Sequence, residues 1–198
     1  MNARTAAAAS HFRARLKIQR SRLAILSAFI GLCVLAAQAP ADDGLSASTR
    51  TLLAADDLPR PLFALPSLDG PPQELARLRG RVVLIHFFAT WCEPCRPEMA
   101  RLMQMQSRLG DRPLAIVPIS VAEADGAVRR FFAGERLPFA ILLDRDRSAA
   151  RAWDIQALPS TIVLDRRLKP RFVAQGDLDW LRPDVMDKLT DLLAEPPA

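Results

Sequence analysis

Ala89-Thr90-Trp91-Cys92-Glu93-Pro94-Cys95-Arg96-Pro97-Glu98-Met99 joins two patterns of different period. Before it, Arg81 to Phe88 is a near-continuous apolar run of the kind a buried parallel strand carries. After it, Cys95 to Leu109 places Met99, Leu102, Met103 and Gln106 at helical spacing. Two cysteines therefore sit where a strand becomes a helix.

That placement has a chemistry of its own. A thiolate at a helix N-terminus meets unpaired backbone N–H groups and the positive end of the helix dipole, which lower its pKa and make it the attacking species. Cys92 is expected to be that nucleophile. Cys95, one turn along, is expected to be the resolving thiol, so that the pair passes between a dithiol and a Cys92–Cys95 disulfide. Pro94 has no N–H to lose here and holds the turn in shape. Glu93 sets a carboxylate beside the thiolate. Each pKa unit of thiolate destabilisation is about 1.4 kcal/mol, which moves a two-electron couple by up to about 30 mV toward reduction. The motif reads as a reductant.

Working outward on the N-terminal side, Phe63 to Leu68 followed by Asp69-Gly70 suggests a short strand and turn, and Glu74 to Gly80 a return into the central strand. Prolines 66, 71 and 72 keep this hairpin at an edge. On the other side, Leu114 to Val121 gives a second apolar strand, Asp125 to Ala133 a helix, and Pro138 to Asp144 a third strand. A short helix over Ser148 to Ile155 precedes a strand pair, Leu158 to Asp165 and Arg171 to Ala174, and Trp180 to Leu193 closes the chain as an amphipathic helix. The order predicts an α/β domain with a central mixed sheet flanked by helices. It places the cysteines at the carboxyl end of a central strand.

The net charge of +5 is concentrated in the leader. Residues 1–41 hold six of the 27 basic residues and none of the 22 acidic ones, leaving 21 against 22, or −1, for the rest. No nucleic-acid surface is expected. Within residues 1–41 a basic segment to Arg22, an apolar run from Leu23 to Ala37 and small residues to Ala41 form either a signal peptide or an N-terminal membrane anchor. Cys33 lies inside that apolar run and reads as a buried structural thiol. Residues 42–57 are polar, alanine-rich and without period, a flexible linker. Residues 58–198 form the domain, which then contains only Cys92 and Cys95. A zinc site needs about four ligands, and the only other soft ligand in the domain is His86. No metal or other cofactor is expected, and His86 reads as a packed core residue.

The run from Val82 to Met99 resembles the thioredoxin fold, and within it the exported thiol-disulfide reductases of the TlpA/ResA type. The resemblance extends over about Leu58 to Leu193, with an N-terminal β-hairpin and a strand-helix insertion before the proline loop. It implies that Cys92 is the nucleophile, Cys95 the resolving thiol, and Pro159 a cis proline facing the two sulfurs. Trp91, Glu93, Pro94 and Leu158 then join Pro159 in the surface a substrate strand meets, Leu158 being larger than the threonine or valine usual before that proline. Glu98, three residues past Cys95, matches a buried glutamate that handles the proton of the resolving thiol and raises the cysteine pKa values. His86 stands where thioredoxin has a buried aspartate and the exported relatives commonly an asparagine; burial would hold it neutral, and a proton shuttle is the other role open to it.

The resemblance further implies protein disulfide substrates, such as apocytochrome c or copper-site proteins, and a membrane thiol-disulfide donor that keeps the pair reduced. The place of action would be the periplasm or the outer face of the inner membrane. A disulfide oxidant or isomerase of the same fold, and a non-catalytic chaperone or copper-relay module, are the competing readings.

Overall fold

The computed structural model describes residues 51–55 and 57–196, so the leader, with Cys33, and most of the expected linker lie outside the described residues. Within them Val82–Phe88 (β4) is the organising strand, all seven of its residues buried. It pairs in parallel with β5 (Leu114–Val121) and antiparallel with β7 (Ser160–Leu164). The sheet extends through β5 to β6 (Leu142–Asp144), and through β7 to β8 (Pro170–Gln175) and β1 (Leu53–Ala54), giving the order β1-β8-β7-β4-β5-β6. β5 and β6 are parallel, whereas β7, β8 and β1 pair antiparallel. The sheet is mixed, as the sequence pattern predicts.

Alternation along β4 assigns the two faces. Val82, Leu84 and Phe88 pack with α1 (Cys95–Leu109), α2 (Asp125–Phe131) and α4 (Pro183–Ala194), through residues such as Leu102, Val128 and Leu189. Val83, Ile85 and Phe87 face the other way, against Ala149 and Ala150 of α3 (Ser148–Ala152), Trp153, and Leu75 of the 3-10 turn Leu75–Leu78. A continuous apolar run is required because neither face of the strand meets water.

α1 begins where Pro94, at φ −70°, leads into Cys95, and Pro97 is tolerated because its missing N–H falls in the first turn. It ends at Gly110, whose φ of +61° favours glycine and whose N–H donates to the Gln106 carbonyl at 3.1 Å. The buried stripe of the helix is Cys95, Glu98, Met99, Leu102, Met105 and Leu109. Met103 and Gln106, which the spacing suggested, are half-buried, and Met105 fills the position between them.

Four expectations change in detail. Leu53–Ala54, inside the expected linker, pairs with Phe172 and Val173, and Leu52 beside it is buried. The N-terminal hairpin is reduced to β2 (Ala64–Leu65) on β3 (Gln73–Glu74). The third strand contains only Leu142–Asp144, since the Ile141 carbonyl accepts from the Leu68 N–H and the Leu143 N–H donates to the Pro66 carbonyl. Residues 66–68 thereby cover an edge that would otherwise be open. The closing helix starts at Pro183, a residue suited to a first turn, rather than at Trp180.

Candidate active site

The register of β4 against β7 builds the site. Phe87 pairs with Ser160, so Pro159, one residue before β7, lies at the end of the sheet where β4 hands over to the cysteine loop. The Leu158–Pro159 peptide is cis, and the Pro159 carbonyl accepts from the Gly176 N–H at 2.7 Å. Cys92 and Cys95 are joined in a disulfide with their Cα atoms 5.4 Å apart. The loop is compact because the Cys92 N–H donates to the Ala89 carbonyl and the Cys95 N–H to the Cys92 carbonyl, at 3.2 and 3.1 Å. Cys92 is 6% exposed and Cys95 not at all. Of the two cysteines only Cys92 reaches solvent.

Two ionic groups fix this corner, Glu123 and Arg96, and neither was assigned a role from the sequence. Glu123, just past β5, accepts from the Thr90 N–H at 2.9 Å, from the Thr90 hydroxyl, and from the Ser120 hydroxyl at 2.7 Å. One carboxylate thus ties the residue two before Cys92 to the end of the neighbouring strand. Arg96 lays its guanidinium 3.9 Å from the centre of the Phe131 ring and donates to the Phe131 carbonyl at 2.7 Å and to Glu135 at 3.1 Å. This holds the first turn of α1 to the end of α2. A glutamate 33 positions from Thr90 gives no local signal that it will reach back to the cysteine loop.

Trp91 is 73% exposed, so it is a surface residue and not a core tryptophan. With Leu158 it lines a pocket of about 220 Å³ that also includes Val121, Arg147, Ala150 and Ile155. Glu93 and Pro94 are exposed at the head of α1. Of the residues expected to face a substrate, Trp91, Glu93 and Pro94 are exposed, Leu158 is half-buried and Pro159 is buried.

The other side of the disulfide is dry. Glu98 is fully buried, one turn past Cys95 on the inner stripe of α1. Its Oε1 accepts from the Trp180 indole N–H at 2.7 Å, while Oε2 lacks a hydrogen bond of ordinary geometry. Burial pushes its pKa up to about 8, and the charge of Asp177 adds to the rise. The Trp180 hydrogen bond, the Arg101 charge and, most weakly, the Leu178 amide pull the other way. Arg101 and Asp177 pair at 2.9 Å beside it. Trp180 was expected only as part of a helix; its task as the partner of Glu98 depends on a contact 82 positions distant.

His86 is fully buried on β4, its Nδ1 2.8 Å from the Thr161 hydroxyl and its ring stacked at 6.3 Å on Phe88. Nε2 has no hydrogen-bond partner among the described residues. Burial lowers its pKa to about 3, so the imidazole is neutral. Among the described residues no three His, Cys, Asp or Glu side chains converge in a way that could hold a metal ion.

The model of the AhpC/TSA family matches residues 57–172. Thiol-disulfide oxidoreductase ResA of Bacillus subtilis (strain 168) is 31% identical over 118 residues, 60% of this chain and 66% of that one. Thioredoxin-like protein YneN of the same strain is 34% identical over 110 residues, covering 54% and 64%. The chain thus spans just under two thirds of the length of these relatives. The crystal structure of a thiol:disulfide interchange protein of the thioredoxin family from Chlorobium tepidum TLS aligns with a TM-score of 0.59 at 26% identity, over 69% of this chain and 98% of that one. The fold is thioredoxin-like, with the mixed sheet, flanking helices and N-terminal hairpin described above.

Proposed function

The chain belongs to the AhpC/TSA family, and from that premise we propose that it is an exported thiol-disulfide oxidoreductase that reduces protein disulfides through Cys92 and Cys95. The observation that carries this reading is the asymmetry of the pair: a cysteine that reaches solvent, Cys92, in front of a helix, and a sealed one, Cys95, at its first residue. The Cys92 thiolate attacks one sulfur of a client disulfide and releases the other as a client thiolate, leaving a Cys92–client mixed disulfide. The Cys95 thiol then gives up its proton and attacks the Cys92 sulfur. The second client thiolate departs and the Cys92–Cys95 disulfide forms. Two electrons pass to the client, whose thiolates take up two protons, and a membrane dithiol donor returns the pair to its reduced form.

Glu98, on the same buried stripe of α1 as Cys95, takes the Cys95 proton in this reading. Burial raises its pKa to about 8, which makes it a stronger acceptor for a thiol proton than an ordinary glutamate is. Trp91, Leu158 and Pro159 offer the surface on which an extended client segment lies, with Glu93 and Pro94 at its rim. Reduction is favoured over oxidation because the Glu93 carboxylate beside Cys92 opposes the thiolate that a strong oxidant would stabilise, and burial of Cys95 denies it the same stabilisation. Apocytochrome c or copper-site proteins are the client class we favour. The site of action would be the outer face of the inner membrane or the periplasm, reached through residues 1–41 as a signal peptide or an anchor.

A Cys95→Ala variant expressed in the native compartment tests the assignment. It should accumulate mixed disulfides through Cys92 that a reductant releases, and mass spectrometry of the captured proteins names the clients. Capture by a Cys92→Ser variant through Cys95, with none by Cys95→Ala, would reverse the assignment of the nucleophile.

A further inference from the structure

The pocket of about 220 Å³ beside the disulfide has an uneven lining. Val121, Ala150, Ile155 and Leu158 give it hydrocarbon walls, and Arg147 is its one charged residue. Two of its wall residues, Trp91 and Leu158, immediately precede Cys92 and Pro159. A chain crossing the cysteine loop would therefore set the neighbour of its own cysteine over this opening.

The charges around Arg147 are already engaged elsewhere. Arg145 forms a two-point pair with Asp125, at 2.9 and 2.8 Å, and Arg151 donates to the Asp146 carbonyl at 2.8 Å. Of the nearby carboxylates, Asp146 accepts from the Ser148 N–H at 3.0 Å, and Asp154 from the Gln156 amide. Among the described residues no carboxylate pairs with the Arg147 guanidinium. The backbone of Arg147 is fixed in the left-handed region, at φ 62° and ψ 19°, immediately before α3. The cation therefore starts from a defined point at the wall of the pocket.

We propose that Arg147 is a specificity residue, and that this pocket selects client segments carrying an apolar side chain and a carboxylate next to the disulfide cysteine. The inference rests on the proposed reductase reading and narrows its substrate class. The apolar side chain fills the space between Leu158, Ile155 and Ala150, while the client carboxylate supplies the anion that Arg147 lacks. Because Arg147 is exposed, its pull on the carboxylate is of surface strength and is screened by salt.

The test uses the full chain with dithiothreitol as reductant and two synthetic peptides, each closed by a disulfide. They are identical except that Leu-Glu in one and Leu-Lys in the other precede the attacked cysteine. At low ionic strength kcat/KM should favour the Leu-Glu peptide about tenfold, the combined effect of losing an attraction and gaining a repulsion. The preference should reverse in Arg147→Glu and shrink at high salt. Such a reversal cannot arise from partial misfolding, which lowers both rates together. Equal rates for the two peptides, or a preference unchanged in Arg147→Glu, would overturn the inference while leaving the reductase reading intact. Failure of the wild-type chain to reduce even the small neutral hydroxyethyl disulfide would overturn both.

Discussion

Replacing Glu98 by glutamine keeps the shape of the side chain and an oxygen for the Trp180 indole N–H, and removes one titrating proton from the core. In the folded protein that proton leaves near pH 8, whereas in the unfolded chain it leaves near the ordinary glutamate value of 4.5. A carboxyl whose folded pKa is raised stabilises the fold fully below the unfolded value, and the stability is lost as pH rises through the folded one. Between pH 5 and pH 9 the wild-type protein should therefore lose about 4 kcal/mol that Glu98→Gln does not lose. Urea unfolding of both proteins in the disulfide form, across that range, measures the difference. The cysteine pair does not titrate in that form, and His86, which acts in the opposite direction at low pH, is common to both proteins and cancels. A wild-type-minus-variant stability that stays flat between pH 5 and pH 9 would mean that Glu98 ionises as an exposed glutamate does. The proton-acceptor assignment would fall with it.

Two further substitutions probe the supports of the site. His86→Asn should flatten the acid side of the stability profile: the depressed His86 pKa of about 3, against 6.5 unfolded, costs the wild type about 3 kcal/mol between pH 7 and pH 4. Equal acid sensitivity of the two proteins, followed by circular dichroism, would show that His86 charges freely in the fold. Glu123→Ala leaves the Thr90 N–H and hydroxyl without their acceptor. Unfolding midpoints should register a loss of about 1–3 kcal/mol, together with slower client reduction; full activity and stability would mean that Thr90 does not hold the cysteine loop.

What the sequence made legible was whatever a short window determines. The β4 run and the Cys92–Cys95 corner were read within a residue or two, because continuous apolarity and the cysteine spacing are local signals. Pro138 to Ile141 looked like strand on the same grounds. Of these, Ile141 instead offers its carbonyl to the Leu68 N–H, a partner some seventy positions away that no window contains. Leu53–Ala54 is the opposite case: two residues of weak pattern become strand only because β8 offers them an edge. Within the site, Glu98 was reachable through the family resemblance, whereas its partner Trp180 and the Glu123 clasp arise purely from tertiary contact.

The surroundings of Cys92 and Cys95 differ, and on the proposed reading this difference bears on the direction of electron flow. On one side the exposed Trp91 precedes Cys92 and shares a pocket with the half-buried Leu158, while the cis Pro159 is buried. On the other side Cys95 and Glu98 share the buried stripe of α1, and a charge placed there must be carried by groups that desolvation already disfavours. A lone thiolate at Cys95 would be such a charge, so the reduced pair stores its proton rather than its negative charge on the inner side. A Cys95 kept protonated lacks the thiolate stabilisation by which a strong oxidant holds its reduced form. Burial of Cys95 and Glu98 thus withholds that stabilisation from the reduced pair, the direction that the proposed reductase reading requires.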